Sequence, residues 1–149
     1  MKALRVNIIY LGIVLLFNAF MPTERQGNLM LEIHNVRTAQ GTVWVGIYDN
    51  EKHYFNQDKA LVKAKQVSAT GCIALKISDL RYGAYAVALF HDINDNGILD
   101  RNAFGVPTEP YAFSQLPPSK WRLPKFDEIK FKFEYNNQVL QTKLQCWWD

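Results

Sequence analysis

Cysteine is scarce: Cys72 and Cys146 are the only two in 149 residues, and they form no Cys-x-x-Cys pair. A zinc ribbon, which needs two such pairs, is excluded. No glycine-rich phosphate loop is present, so nucleotide-binding folds are excluded as well. Charge of one sign is also lacking. The formal net charge is +3, and Lys2 and Arg5 supply two of its cations from the extreme N-terminus. The rest of the chain sets fifteen basic residues against fourteen acidic ones, a net +1, which gives nucleic acid no basic face to bind. The three histidines, His34, His53 and His91, are scattered without metal-ligand spacing. No helical period of useful length occurs. What is present, 48% hydrophobic and 21% charged residues, suits one globular domain; two would leave each too small for a comfortable core.

Residues 1–20 have the layout of a secretory signal, with a basic start followed by an apolar stretch over residues 6–20. That stretch falls short of the roughly 20 apolar residues of a membrane span and is interrupted by Asn7 and Asn18. Cleavage after Ala19 would place Phe17 where a small residue is wanted, so an uncleaved N-terminal anchor stays open beside a cleaved signal peptide. Residues 21–28 are polar and contain Pro22 and Gly27, which reads as a tether. Residues 29–149 are then expected to form a single domain.

Within that domain, alternation at period two predicts strands. Leu29, Leu31 and Ile33 share one face, Val43, Val45 and Ile47 another, and Ile73, Leu75 and Ile77 a third. Phe131, Phe133 and Tyr135 alternate with Lys130, Lys132 and Glu134. Residues 84–90 are continuously apolar, as in a central strand covered on both faces. Residues 61–67 and 139–144 are weaker candidates, and short helical turns are expected near 51–57 and 125–129. Turn signals at Gly41, Gly71, Gly83, Gly97 and Asn136-Asn137 separate the runs. About seven such strands predict an all-β, antiparallel β-sandwich, of transthyretin-like or carboxypeptidase-regulatory-like style, behind the signal segment. An outer-membrane barrel is disfavoured, because Lys76, Lys130, Lys132 and Glu134 would interrupt its apolar outer face.

The chemistry concentrates after the central strand. Asp92, Asn94 and Asn96 place oxygen side chains at alternate positions before Gly97, with Ile98 and Asp100 following. A calcium loop needs this arrangement, because a hard cation takes 6–8 oxygens and a tight turn must aim several at one point. On that scheme Asp92, Asn94 and Asn96 are ligands, Ile98 gives its carbonyl and Asp100 completes the turn. The usual bidentate Glu is replaced by Ala103, so Glu109, brought back by the Gly105 to Pro107 turn, is the expected extra ligand, with Asp95 or water next. The competing reading is a plain turn in which Asp92, Asn94 and Asn96 bond their own backbone. Both readings stand at this level.

The run Gly83-x-Tyr85-Ala86-Val87-Ala88-x-Phe90-His91-Asp92-x-Asn94-x-Asn96-Gly97-x-Leu99-Asp100-x-Asn102 resembles the signature of a bacterial family known as domain of unknown function family 2141. So do Phe104-Gly105-x-Pro107-x-Glu109-x-Tyr111-x-Phe113-Ser114, Pro124-x-Phe126-Asp127 and the early Gly41-x-Val43-x-Val45-x-Ile47-Tyr48. The resemblance spans residues 29–144. It departs at Thr108, where a basic residue is expected, at Ala112, where glycine is expected, and in residues 115–123. It implies an exported β-sandwich of no established activity.

Catalysis is not expected. His91 and Asp92 are strand neighbours and point to opposite faces, and Ser114 lacks a nucleophile elbow, so a hydrolase built on His91, Glu109 or Ser114 is the least favoured reading. Tyr111, Phe113 and Trp121 are the candidate contact residues for a ligand, against the blander reading that the aromatics after the loop cap one end of the sandwich. Strand parity argues against a Cys72–Cys146 disulfide, although a bend would reset it. The expected protein is therefore a non-catalytic, monomeric envelope protein that binds an envelope partner or small ligand and carries structural calcium. It would touch the membrane only through an uncleaved N-terminal segment. The alternative is a structural or adhesion subunit that associates through an edge strand at residues 139–144.

Overall fold

A computed structural model describes residues 25–56 and 58–149; the expected signal or anchor and most of the tether lie outside the described residues. Two sheets pack face to face. One has three strands in the order β4-β1-β8: β1 is Gln26–Val36, β4 Gly71–Arg81 and β8 Gln138–Lys143. The other runs β3-β2-β5-β6, with β2 at Thr42–Tyr48, β3 at Leu61–Gln66, β5 at Gly83–Asp92 and β6 at Tyr111–Phe113. A short β7, Phe131–Phe133, follows the single-turn helix α1, Phe126–Ile129, and pairs with β5. β5 is therefore flanked by β2 on one edge and by β6 and β7, end to end, on the other.

The alternating residues close the core as their period requires. Leu29, Leu31, Ile33, Val43, Val45, Ile77 and Val87 are fully buried, or nearly so, in one cluster that both sheets share. β5 is covered on both sides: Val87 and Leu89 face the opposite sheet, while Ala86 packs with Tyr48, Phe126 and Ile129 in a second, smaller cluster. The first residues of β1 fall within the expected tether, since the strand starts at Gln26.

Three expectations are corrected. The sandwich is not wholly antiparallel, because β1 and β8 pair in parallel from Leu29↔Gln138 to His34↔Lys143; alternation reports which side chains share a face, and parallel and antiparallel strands alternate alike. Among the described residues the strands number eight, because the connection after β5 supplies β6 before β7 completes the same edge. Tyr135 does not continue the Phe131 and Phe133 face: β7 ends at Phe133, and Tyr135 is 61% exposed in the turn toward β8. Phase also shifts inside β4. Asp79, with φ +56°, interrupts the alternation so that Leu80 is buried after Ile77.

The two cysteines are free. Cys72 lies on β4 opposite His34 of β1, whereas Cys146 follows β8 on the other side of β1. Two strand spacings of ~4.8 Å separate their strands, beyond the reach of a disulfide.

Candidate functional site

β5 delivers Asp92 to the start of the loop. The register Thr42↔Asp92 and Val43↔His91 fixes its height against β2. Gly41 makes the approach possible: its φ is +77°, and a Cβ there would lie 2.1 Å from the Asp92 carbonyl oxygen. The Asp92 side chain is fully buried, and its charge is compensated by three donors. Oδ1 accepts from Asn96 N at 3.1 Å, and Oδ2 accepts from Gly97 N at 2.7 Å and from Trp44 Nε1 at 3.1 Å. The left-handed backbone positions of the turn are Asp95, φ +58°, and Gly97, φ +82°.

A second hairpin returns the chain. Arg101 bridges Pro107, Asn102 N donates to Val106 O, and Asn102 Oδ1 accepts from Phe104 N and Val106 N around Gly105, φ +76°. Glu109 then arrives beneath the first loop, 6% exposed. Its Oε1 accepts from Ile93 N at 2.8 Å and its Oε2 from Asp100 N at 3.1 Å, so one carboxylate clamps both ends of residues 93–100.

Above these two carboxylates lies an outer group. Asn94 Nδ2 donates to Asp100 Oδ2 at 2.7 Å and Asn96 Nδ2 to Asp100 Oδ1 at 3.0 Å. Asn94 Oδ1 accepts from Asn96 N and Asn96 Oδ1 from Ile98 N. The expected ligand set is thus divided into two tiers. Asp92 and Glu109 hold backbone N–H groups from below, while Asn94, Asn96 and Asp100 meet at the surface next to the Ile98 backbone. Among the described residues, no three His, Cys, Asp or Glu side chains gather closely enough to hold a metal ion. Any cation at this loop would therefore rely on amide and carbonyl oxygens around Asp100. Asn94 Oδ1 and Asn96 Oδ1 each hold a backbone N–H with one lone pair and keep a second.

The residues weighed for hydrolysis do not meet. His91 is fully buried in the core, its Nε2 2.7 Å from Gln40 O, and its Nδ1 has no partner among the described residues. The Ser114 hydroxyl accepts from Val87 N at 2.9 Å and donates to Ile129 O at 2.5 Å. Glu109 is engaged at the loop, as described.

Of the aromatic candidates, Tyr111 and Phe113 are half-buried on β6 with rings 5.9 Å apart. Trp121 is 80% exposed and meets Trp147 edge-on at 5.4 Å. Phe104 is 91% exposed. Phe126 is buried, and Phe113 packs against the same small cluster. A cleft of about 320 Å³ opens beside them between β6 and β8. Sequence reasoning missed Trp44 and Gln40. The parity of Trp44 with Tyr48, on the face opposite Val43 and Val45, is the one signal that pointed toward the Asp92 side of the sheet.

The strand, turn and clamp just described lie inside the stretch that a bacterial family model matches, residues 31–141, under the description of an uncharacterized protein conserved in bacteria, domain of unknown function family 2141. The chain belongs to this family. No curated protein and no solved structure matches it. The family brings no activity with it, so the functional reading rests on the geometry of the loop and the sheet edges.

Proposed function

We propose that this is an exported, non-catalytic β-sandwich of transthyretin-like or carboxypeptidase-regulatory-like style, which binds an envelope partner or small ligand beside a loop that takes up calcium. The observation that carries the reading is the convergence of Asn94, Asn96 and Asp100 on one surface point, above a turn already held by Asp92 and Glu109. A cation replaces the amide-to-carboxylate bonds with Asn94 Oδ1, Asn96 Oδ1, the Asp100 carboxylate and the Ile98 carbonyl, and water fills the remaining positions. One carboxylate in the outer tier makes a weak site, with Kd on the order of 10⁻⁴–10⁻³ M, in the range of extracellular calcium modules. Export is supported by the basic and apolar layout of residues 1–20.

The test is a calcium titration followed by thermal melting. At ten times Kd, calcium stabilises the native state by about 1.4 kcal/mol, equivalent to a rise of roughly 4–6 °C in Tm. Asp100→Asn removes most of that rise. A wild-type Tm that does not respond to calcium, at constant ionic strength, removes the cation from the reading.

A second reading, the structural subunit, is favoured by one observation of its own. Among the described residues, β8 lies at the end of its sheet and pairs with β1 alone, which leaves one side of its backbone open to strand addition.

A further inference from the structure

The edges of the two sheets meet at a single point. Tyr111 N donates to Gln145 O at 3.0 Å and Gln145 N to Tyr111 O at 2.9 Å. The backbone groups of a strand alternate in direction. Those of Phe113 therefore point the same way as those of Tyr111, away from β5. On the other wall, Leu144 N donates to His34 O, so the even residues of β8 bond β1. Val139, Gln141 and Lys143 accordingly turn their N–H and C=O groups outward, as Gln145 does. The ladder that begins at Tyr111 and Gln145 stops there, and beyond it the walls part into the 320 Å³ cleft. Its inner side presents the small buried residues Ala112 and Thr142. Among the described residues, the charged side chains lining it are Lys143 and Lys120, whose Nζ donates to Trp147 O at 3.1 Å. Glu32, across the ladder from Gln141, accepts from Gln141 Nε2 at 2.9 Å and lies 3.6 Å from His34.

We propose that this cleft receives an extended segment of a partner protein, as a strand added to β8, with small residues directed inward and acidic residues directed outward at alternate positions. The inference rests on the edge-strand reading and adds the partner's chemistry. Outward N–H and C=O groups of Val139, Gln141 and Lys143 supply the ladder. Ala112 and Thr142 leave room for small side chains only, and Lys120 and Lys143 face the acids.

The experiment uses three synthetic nonapeptides: alternating Ala and Asp, alternating Ala and Lys, and the Ala/Asp peptide N-methylated at alternate residues. Binding is followed by residue-resolved amide exchange and Trp fluorescence. The Ala/Asp peptide is expected to protect the amides of Gln141 and Lys143, which point outward, and to leave those of Leu140 and Thr142 unchanged. It binds at least tenfold tighter than the other two. Gln141→Pro removes an outward N–H that β1 does not use, and it abolishes binding while β1 and β8 keep their mutual protection. Lys143→Glu, which leaves the backbone intact, removes the preference for the Asp peptide over the Lys peptide. Equal protection by both charged peptides overturns the acidic partner and leaves the edge reading standing. Protection by none overturns both. A polyuronate that shifts Trp fluorescence without changing amide exchange assigns the cleft to glycan and overturns the proposal. So does protection of Gln141 and Lys143 in the peptide-free protein that vanishes on dilution, which identifies a second copy of the chain as the occupant.

Discussion

Asp92 shows how much one buried side chain organises. Its two oxygens take Asn96 N, Gly97 N and Trp44 Nε1, so removal of the carboxylate takes the acceptor from Gly97 N and Trp44 Nε1, while Asn96 N keeps Asn94 Oδ1. Asp92→Ala is expected to cost about 3–5 kcal/mol, read as a lowered urea midpoint at unchanged slope. Glu109→Gln keeps the shape but replaces one acceptor by an amide NH₂ facing a backbone N–H, at a cost of about 2 kcal/mol on the same measurement. Gly41→Ala tests the approach of β2 to the loop. The added carbon meets backbone at 2.1 Å and the residue must hold φ +77°, so a loss above ~2 kcal/mol is expected. The sequence made Asp92 conspicuous through its spacing to Asn94, Asn96 and Gly97. It could not distinguish a carboxylate that faces a cation from one that faces N–H groups, because both need the same residue at the same turn position.

At the scale of elements, the connection from β6 to α1 is held by Glu128. Arg122 donates to both its oxygens, at 2.7 and 2.5 Å, and Lys125 N donates to Oε2 at 2.7 Å. The Arg122 hydrogen bonds, with the Lys125 N–H next, lower the Glu128 carboxyl to about 2. A carboxyl whose folded value is depressed stabilises the fold above its unfolded pKa, and that contribution is lost as pH falls through the folded value. The anchoring is therefore complete above about pH 5 and disappears between about pH 4 and 2. Trp121 fluorescence is expected to change over that window, and Glu128→Gln to abolish the transition. The strands themselves were legible where apolar residues alternate, as in β1 and β2, or run unbroken, as in β5. β6 was not, since three residues are too few to show a period and only pairing with Ala88 to Phe90 makes Tyr111–Phe113 a strand. The direction of β8 was equally hidden, because hydrogen-bond direction leaves no trace in side-chain alternation.

For the whole molecule, the order β4-β1-β8 keeps the strands of Cys72 and Cys146 on opposite sides of β1. Thiol titration of the native and denatured protein is expected to count two free thiols in each, with an intact mass unchanged by reduction. The same order bears on assembly of the fold. β1 and β8 join residues 109 positions apart in sequence, so the smaller sheet closes the longest loop in the chain. Contacts of that separation form slowly. A chain emerging from its N-terminus can pair β1 with β4 early, and one side of β1 then stays bare until the last strand arrives. Until that moment β1, rather than β8, is the open edge, and the chain is most exposed to mispairing with another copy of itself.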